Sequence, residues 1–184
     1  MMEIKRNQYF IDGISINHLA EKYDTPLYIY ETNIIQRQYN ALIEAFSGIH
    51  VKINYACKAL TNINILRFLQ KTGTQLDAVS IQEVQLGLKA GFDPQQIFFT
   101  PNNVSIDEIS QAVESGVRIN IDNLSVLEQF GRKYGSSYPV GIRINPHIMA
   151  GGNIKISTGH IDSKFGISIH QVSNILSLKN TFSL

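Results

Sequence analysis

Lys58 stands in N54-Y-A-C-K-A-L60, at the far end of a mostly apolar run that begins at Val51. A lysine in that position has two uses. Its stem can cover apolar surface while the ammonium reaches water. Alternatively, a pocket lowers its pKa so that the neutral amine attacks an aldehyde. Asp77, in Q75-L-D-A-V79, is by itself a turn or cap residue, but as a partner of an amine it would hold cation and ligand in register. Arg143 interrupts the apolar run P-V-G-I-R-I-N from Pro139 to Asn145. An unpaired charge there is costly, so Arg143 should meet an anion or a carboxylate. With Thr100 to Asn103 and Asp122-Asn123, these residues make a set of amine, carboxylates, amides and guanidinium. That set suits an anionic or zwitterionic small molecule.

The elements that must position them follow from periodicity. Strand-like runs cover 51–56, 75–79, 96–100, 117–122 and 139–145. Helix-like stretches lie between them, at about 62–72, 81–90, 105–115 and 123–134. Ser80 with Glu83 and Ser105 with Glu108 are capping-box patterns, and Gly73, Gly91 and Gly116 mark helix ends. Five successive β-α units predict a parallel sheet, either open and doubly wound or closed as a (β/α)8 barrel of the TIM type. Ile53, Ile142 and Ile144 would pack outward under helices, leaving Asn54, Ala56, Lys58, Arg143 and Asn145 on the alternate positions. Small and polar residues at inward strand ends favour the barrel, whose functional groups gather at the C-terminal ends of its strands.

Upstream, the chain reads as irregular, then as a short helix capped at Asn17 that Asp24-Thr25-Pro26 breaks. Leu27 to Tyr30 is a strand candidate, and residues 33–46 have helical periodicity. Downstream, an amphipathic helix with apolar positions 169, 172, 175, 176 and 178 begins near Ile167, and N180-T-F-S-L184 reads as the start of a sixth strand. A closed barrel needs eight, so the expectation is a fragment of a longer protein.

Composition bounds the rest. The chain has 184 residues, 43 % hydrophobic and 17 % charged, enough apolar surface for a core and too few charges for disorder. A net charge of +1 supplies no field to attract nucleic acid or anionic lipid. No apolar run is long enough to span a membrane, and the start lacks a secretory h-region. One cysteine excludes an intrachain disulfide framework, and the five histidines show no metal-ligand spacing, so no metal is expected. A soluble, reducing, cytoplasmic setting fits. Cys57 should point toward the helices as a buried structural thiol. Gly151-Gly152 is a turn without a phosphate-binding helix, and S157-T-G-H-I-D-S-K-F-G166 reads as a rim loop. Its Lys164 is either a substrate contact or a solvated side chain.

Together these segments resemble the fold-type III pyridoxal-phosphate decarboxylases. The matching pieces begin with Y23-D-T-P-L-Y-I-Y30, Y55-A-C-K-A59, L76-D-A-V-S80 with Glu83, and F99-T-P-N-N103. They continue with I119-N-I-D-N123, the R-I-N-P of Arg143 to Pro146, I156-S-T-G159 and S163-K-F-G-I167. They occur in the family's order over nearly the whole chain. The resemblance implies an alanine racemase-like barrel, here with only about five strands and without the family's C-terminal β-domain. Residues 1–32 would be an N-terminal segment packing on the barrel rim or on that domain, and 33–184 a partial barrel that binds pyridoxal 5'-phosphate.

By the same resemblance Lys58 is the Schiff-base lysine, and Ala56, Asp77, Thr100 and Arg143 line the cofactor. The I-S-T-G and S-K-F-G pair tilts the substrate toward meso-2,6-diaminopimelate, giving L-lysine and CO2 in the last step of lysine biosynthesis. The full-length family forms homodimers. One departure is S80-I-Q-E83, where many relatives have S-G-G-E. The family's ring-stacking histidine, glycine-rich phosphate loop and proton-donor cysteine have no counterpart up to Leu184, so the 184 residues alone are expected to be inactive. The alternatives are another basic amino-acid decarboxylase of this fold (ornithine, arginine or carboxynorspermidine type), a non-catalytic pyridoxal-phosphate-binding barrel, and a barrel fragment with merely solvated loops.

Overall fold

In the computed structural model the described residues are 2–149, 158–159 and 163–184. The chain divides into two compact units, Met1–Lys52 and Ile53–Leu184.

In the first unit, β1 (Met2–Lys5), β2 (Gln8–Ile11) and β3 (Ile14–Ser15) form an antiparallel sheet, where the sequence had suggested irregular chain. Arg6 and Asn7, both at positive φ, make the two-residue turn that sets β1 against β2. Their alternation is hard to see because these strands are short and largely exposed. Helix α1 (Ile16–Tyr23) leaves β3 directly, with Ser15 rather than Asn17 at its N-cap position. The chain entering from a strand therefore sets its start, not a capping amide. The Thr25–Pro26 peptide is cis. Leu27 to Tyr30 forms no strand, a second departure, and all four side chains are exposed. Helix α2 spans Thr32–Ala45, as its periodicity predicts.

The second unit repeats strand and helix. Its elements are β4 (Asn54–Ala56), α3 (Ile63–Thr72), β5 (Gln75–Ala78), α4 (Ile81–Ala90), β6 (Ile97–Phe99), α5 (Ile106–Glu114), β7 (Arg118–Ile121), α6 (Leu124–Tyr134) and β8 (Val140–Ile142). The strands form one parallel sheet in the order β4-β5-β6-β7-β8, the arrangement of a partial (β/α) barrel. β4 is shorter than the apolar run from Val51, although the Gln75 N–H still donates to the Ile53 carbonyl at 2.8 Å.

Register separates the two faces of this sheet. Leu76 pairs with Ile97, Ala78 with Phe99, Phe99 with Ile119, Ile119 with Val140 and Ile121 with Ile142. Most of this row is buried in the core with Leu66, Val84, Ile109, Leu127 and Phe130 from the helices. Each such side chain contributes about 1.5–3 kcal/mol by leaving water. The alternate row carries Ala56 beside Asp77, Asp77 beside Phe98, and Asn120 beside Gly141.

The helix starts are held as the sequence predicts, with one change. Ser105 and Glu108 close a full capping box, each bond 3.3 Å. Ser80 accepts from the Glu83 N–H at 3.2 Å, but the Glu83 carboxylate reaches one residue further back, to the Val79 N–H at 2.8 Å.

Beyond β8 the chain departs most from expectation. β9 (Ile144–Asn145) pairs in parallel with β10 (Ile167–Ser168), so the added strand lies where a helix had been expected to begin. Residues 180–184 are not a strand: α7 (Val172–Phe182) runs through most of them. Ile167 is buried next to Ile144, which favours pairing there. Phe182 packs on Gly131 of α6, where a Cβ would come within 2.6 Å of its ring, and the Arg132 guanidinium lies 5.4 Å from that ring. Of the apolar positions read as one helical face, Val172, Ile175 and Leu178 are half-buried, while Ile169 and Leu176 are exposed. Ile144 is exposed rather than packed under a helix.

Candidate active site

The strand ends converge as a barrel requires. Lys58 is not in β4 itself but in the single 3-10 turn Cys57–Ala59 that follows it, closed by Leu60 N–H donating to the Cys57 carbonyl at 3.1 Å. Asp77 is on the row of β5 opposite the core. Thr100 follows β6, its N–H donating to the Ala78 carbonyl at 2.8 Å. Arg143 lies between β8 and β9 and bridges two strands, its N–H donating to Ile121 and its carbonyl accepting from Ile167, both at 2.8 Å.

One cavity of about 370 Å³ collects these groups. Lys58, Asp77, Thr100, Arg143, Lys164 and Phe165 line it. Ala56 is the register partner of Asp77, but its side chain is not among the described lining residues. The volume is within the ordinary range for small-molecule sites. A larger hollow of about 480 Å³ opens near the starts of β7 and β8, lined by Phe98, Arg118, Tyr138 and Gly141. The Arg118 guanidinium rests 5.0 Å from the Phe98 ring, and no amine or carboxylate lines that hollow. It lies at the end of a barrel where residues serve stability.

Several contacts orient the walls of the smaller cavity. The Asn120 amide donates to the Thr100 hydroxyl at 3.0 Å. Arg143 stacks on Phe165, 4.7 Å from guanidinium to ring centroid, and the Lys164 ammonium is 5.4 Å from the same ring. A guanidinium held against an aromatic face gains a cation–π contact and still carries N–H donors for an anion. Gly166 has φ +81°, and a Cβ there would come within 2.8 Å of the Asn145 nitrogen. Only glycine fits that bend without strain, which fixes where Phe165 meets Arg143.

Cys57 is fully buried and faces the core rather than the cavity. Burial, then the charges of Glu83 and Asp77, push its thiol up to about 11. It is a packing residue and not a nucleophile. Among the described residues no cluster of ligating side chains suits a metal ion.

Three groups here carried no separate weight in the sequence. Val79, Asn102 and Phe165 line the cavity or meet its cations. The T-P-N-N and S-K-F-G motifs contain two of them, but Asn102 bonds the Lys164 carbonyl 62 positions away and Phe165 meets Arg143 only in the fold. Gly151-Gly152, Ser157 and residues 160–162 of the rim loop lie outside the described residues.

Known proteins resemble this chain in sequence and in fold. Residues 32–184 match the model of the family described as pyridoxal-dependent decarboxylase, pyridoxal binding domain. The chain belongs to the pyridoxal-dependent decarboxylases. Diaminopimelate decarboxylase of Methanothermobacter thermautotrophicus is 40% identical over 164 residues, covering 88% of this chain and 38% of that one. The Haemophilus influenzae enzyme of the same name is 31% identical over 183 residues, 97% of this chain and 44% of its own. The crystal structure of diaminopimelate decarboxylase from Methanocaldococcus jannaschii in co-complex with L-lysine superposes with a TM-score of 0.84 at 33% identity, covering 98% of this chain and 44% of that one. The chain thus spans about two fifths of the length of these relatives.

Pyridoxal phosphate is the cofactor of the pyridoxal-dependent decarboxylases, and the donor set of the cavity fits it. A primary amine suits its carbonyl, a guanidinium suits an anionic group, and a hydroxyl and a carboxylate complete the lining. Among the described residues no helix is long and apolar enough to cross a membrane.

Proposed function

We propose that this chain forms the cofactor-binding part of an enzyme that decarboxylates meso-2,6-diaminopimelate to L-lysine and CO2, acting as a homodimer in the cytoplasm. The observation that carries the reading is the convergence of Lys58, Asp77, Thr100 and Arg143 on one cavity at the strand ends of a pyridoxal-dependent decarboxylase.

Lys58 supplies the amine to which the cofactor attaches. Its exposed place in a turn lets it reach the cavity while Cys57 beside it anchors the backbone in the core. Ala56, next to Asp77 in the sheet, leaves room at the wall. Arg143 binds an anionic group, with Phe165 holding the guanidinium at the wall. Thr100 offers a hydroxyl already oriented by Asn120. Asp77 supplies an acceptor on the same wall, and Lys164 supplies a cation for a substrate carboxylate. Bound there, pyridoxal phosphate supplies an electron sink for the pair left when a carboxylate departs as CO2.

The test is spectroscopic. Titrating the protein with pyridoxal phosphate should raise a visible absorbance band that Lys58→Ala abolishes. Adding meso-2,6-diaminopimelate should perturb that band more strongly than ornithine or arginine. No band in the wild-type chain would defeat the reading of the site, and an equal response to ornithine would defeat the choice of substrate. Sedimentation velocity checks the homodimer.

A further inference from the structure

We infer that Asn102 is a positioning residue whose side-chain amide clamps the Lys164–Phe165 wall onto the mouth of the site. The inference rests on the proposed reading of the cavity as a cofactor site and names what holds its outer wall in place.

One nitrogen of Asn102 makes two bonds. Nδ2 donates to the Asp122 carboxylate at 2.6 Å and to the backbone carbonyl of Lys164 at 3.2 Å. An amide nitrogen carries two hydrogens, so each acceptor receives its own. Both partners only accept, which fixes the orientation of the amide. Three segments meet at this point: the loop after β6 bearing Asn102, the residue after β7 at Asp122, and the stretch 163–166 that precedes β10. Asp122 thus acts at a distance, holding the donor toward the Lys164 carbonyl with a charge-assisted bond.

The far side of the same stretch is tied separately, by the Ile167 N–H donating to the Arg143 carbonyl at 2.8 Å. Phe165 lies between these two ties, with Arg143 against its ring. Releasing the Asn102 tie removes one of these two described ties. Phe165 then loses its fixed place against Arg143, and Lys164 its fixed place at the cavity. Asn102 itself is also a lining residue, so the clamp is at the mouth and not behind it. Few other side chains do the same. Aspartate has the size but no donor at neutral pH, serine has one donor, and alanine has none.

Two measurements on the full chain test this, and they separate the clamp from the cofactor reading. The first uses trypsin without any ligand, following cleavage after Lys164 relative to cleavage after Lys52. Losing one hydrogen bond to the wall should raise that ratio about fivefold in Asn102→Ala, and at least as much in Asn102→Asp, where the new carboxylate faces Asp122 and the Lys164 carbonyl. Asn102→Ser, with one donor, should be intermediate. The second measures pyridoxal phosphate affinity from the visible band, which should weaken about fivefold in Asn102→Ala and Asn102→Asp while thermal unfolding stays close to wild type. An Asn102→Asp chain with wild-type trypsin ratio overturns the clamp, whatever the cofactor does. A raised ratio with unchanged pyridoxal phosphate affinity overturns its role at the site. Failure of the wild-type chain to bind pyridoxal phosphate overturns the cofactor reading and that role together, while the trypsin ratio still decides the clamp.

Discussion

Cys57 and Lys58 are neighbours with opposite fates, because the chain turns between them. The thiol enters the core and the amine leaves it. With its pKa raised from 9.0 to about 11, Cys57 keeps its proton in the folded state at a pH where an unfolded chain would release it. The unfolded state then binds fewer protons, so this contribution to stability is full below about 9 and is lost as pH rises through about 11. Urea midpoints should therefore fall across that window and fall less in Cys57→Ala or Cys57→Val. Iodoacetamide should label the native thiol slowly at neutral pH and rapidly once urea unfolds it; fast native labelling would contradict its burial. At this scale the sequence was most readable where one residue type has few uses: a lysine at a strand end and a lone buried cysteine. It was least readable for Asn102 and Phe165, whose roles come from partners distant in sequence.

The middle elements follow their local signals because capping, alternation and helix-ending glycines all agree, as between Asn62 and Ile142. Where only one weak signal exists, tertiary partners decide. Ile167 joins a strand because β9 offers it a neighbour, and Phe182 remains helical because Gly131 leaves it a seat. The antiparallel sheet at the start leaves little sequence signal for the same reason: each strand is too short to show a period by itself. Close approach also gives a prediction at β8. A Cβ on Gly141 would overlap the side-chain oxygen of Asn120, the residue that holds Thr100. Gly141→Ala should cost about 1–3 kcal/mol in chemical denaturation. The cost should shrink when Asn120→Ala is added; an undiminished penalty would place the strain elsewhere. Loss of the helix cap in Ser105→Ala should cost about 1 kcal/mol by the same assay.

At the scale of the molecule, the division at Lys52 and Ile53 makes a prediction that needs no ligand. Residues 46–50 and Lys52 are exposed, and Lys52 is the trypsin site at the boundary. Brief digestion should cut there early and leave a larger piece beginning at Ile53; first cuts inside α3 or α4 would contradict the division. The barrel character was legible because small and polar residues fall on the inward positions toward the strand ends, with isoleucines on the alternate positions. The pairing of β9 with β10 was not, since a two-residue strand leaves almost no trace in composition. The alternating rows of the sheet constrain how such a chain can vary. Removing a single residue within β5 would turn Asp77 under the helices and bring Leu76 or Ala78 to the cavity. Packing and chemistry are thus written on one strand in alternate letters, so descendants can exchange individual residues there but cannot change its length by one without losing both.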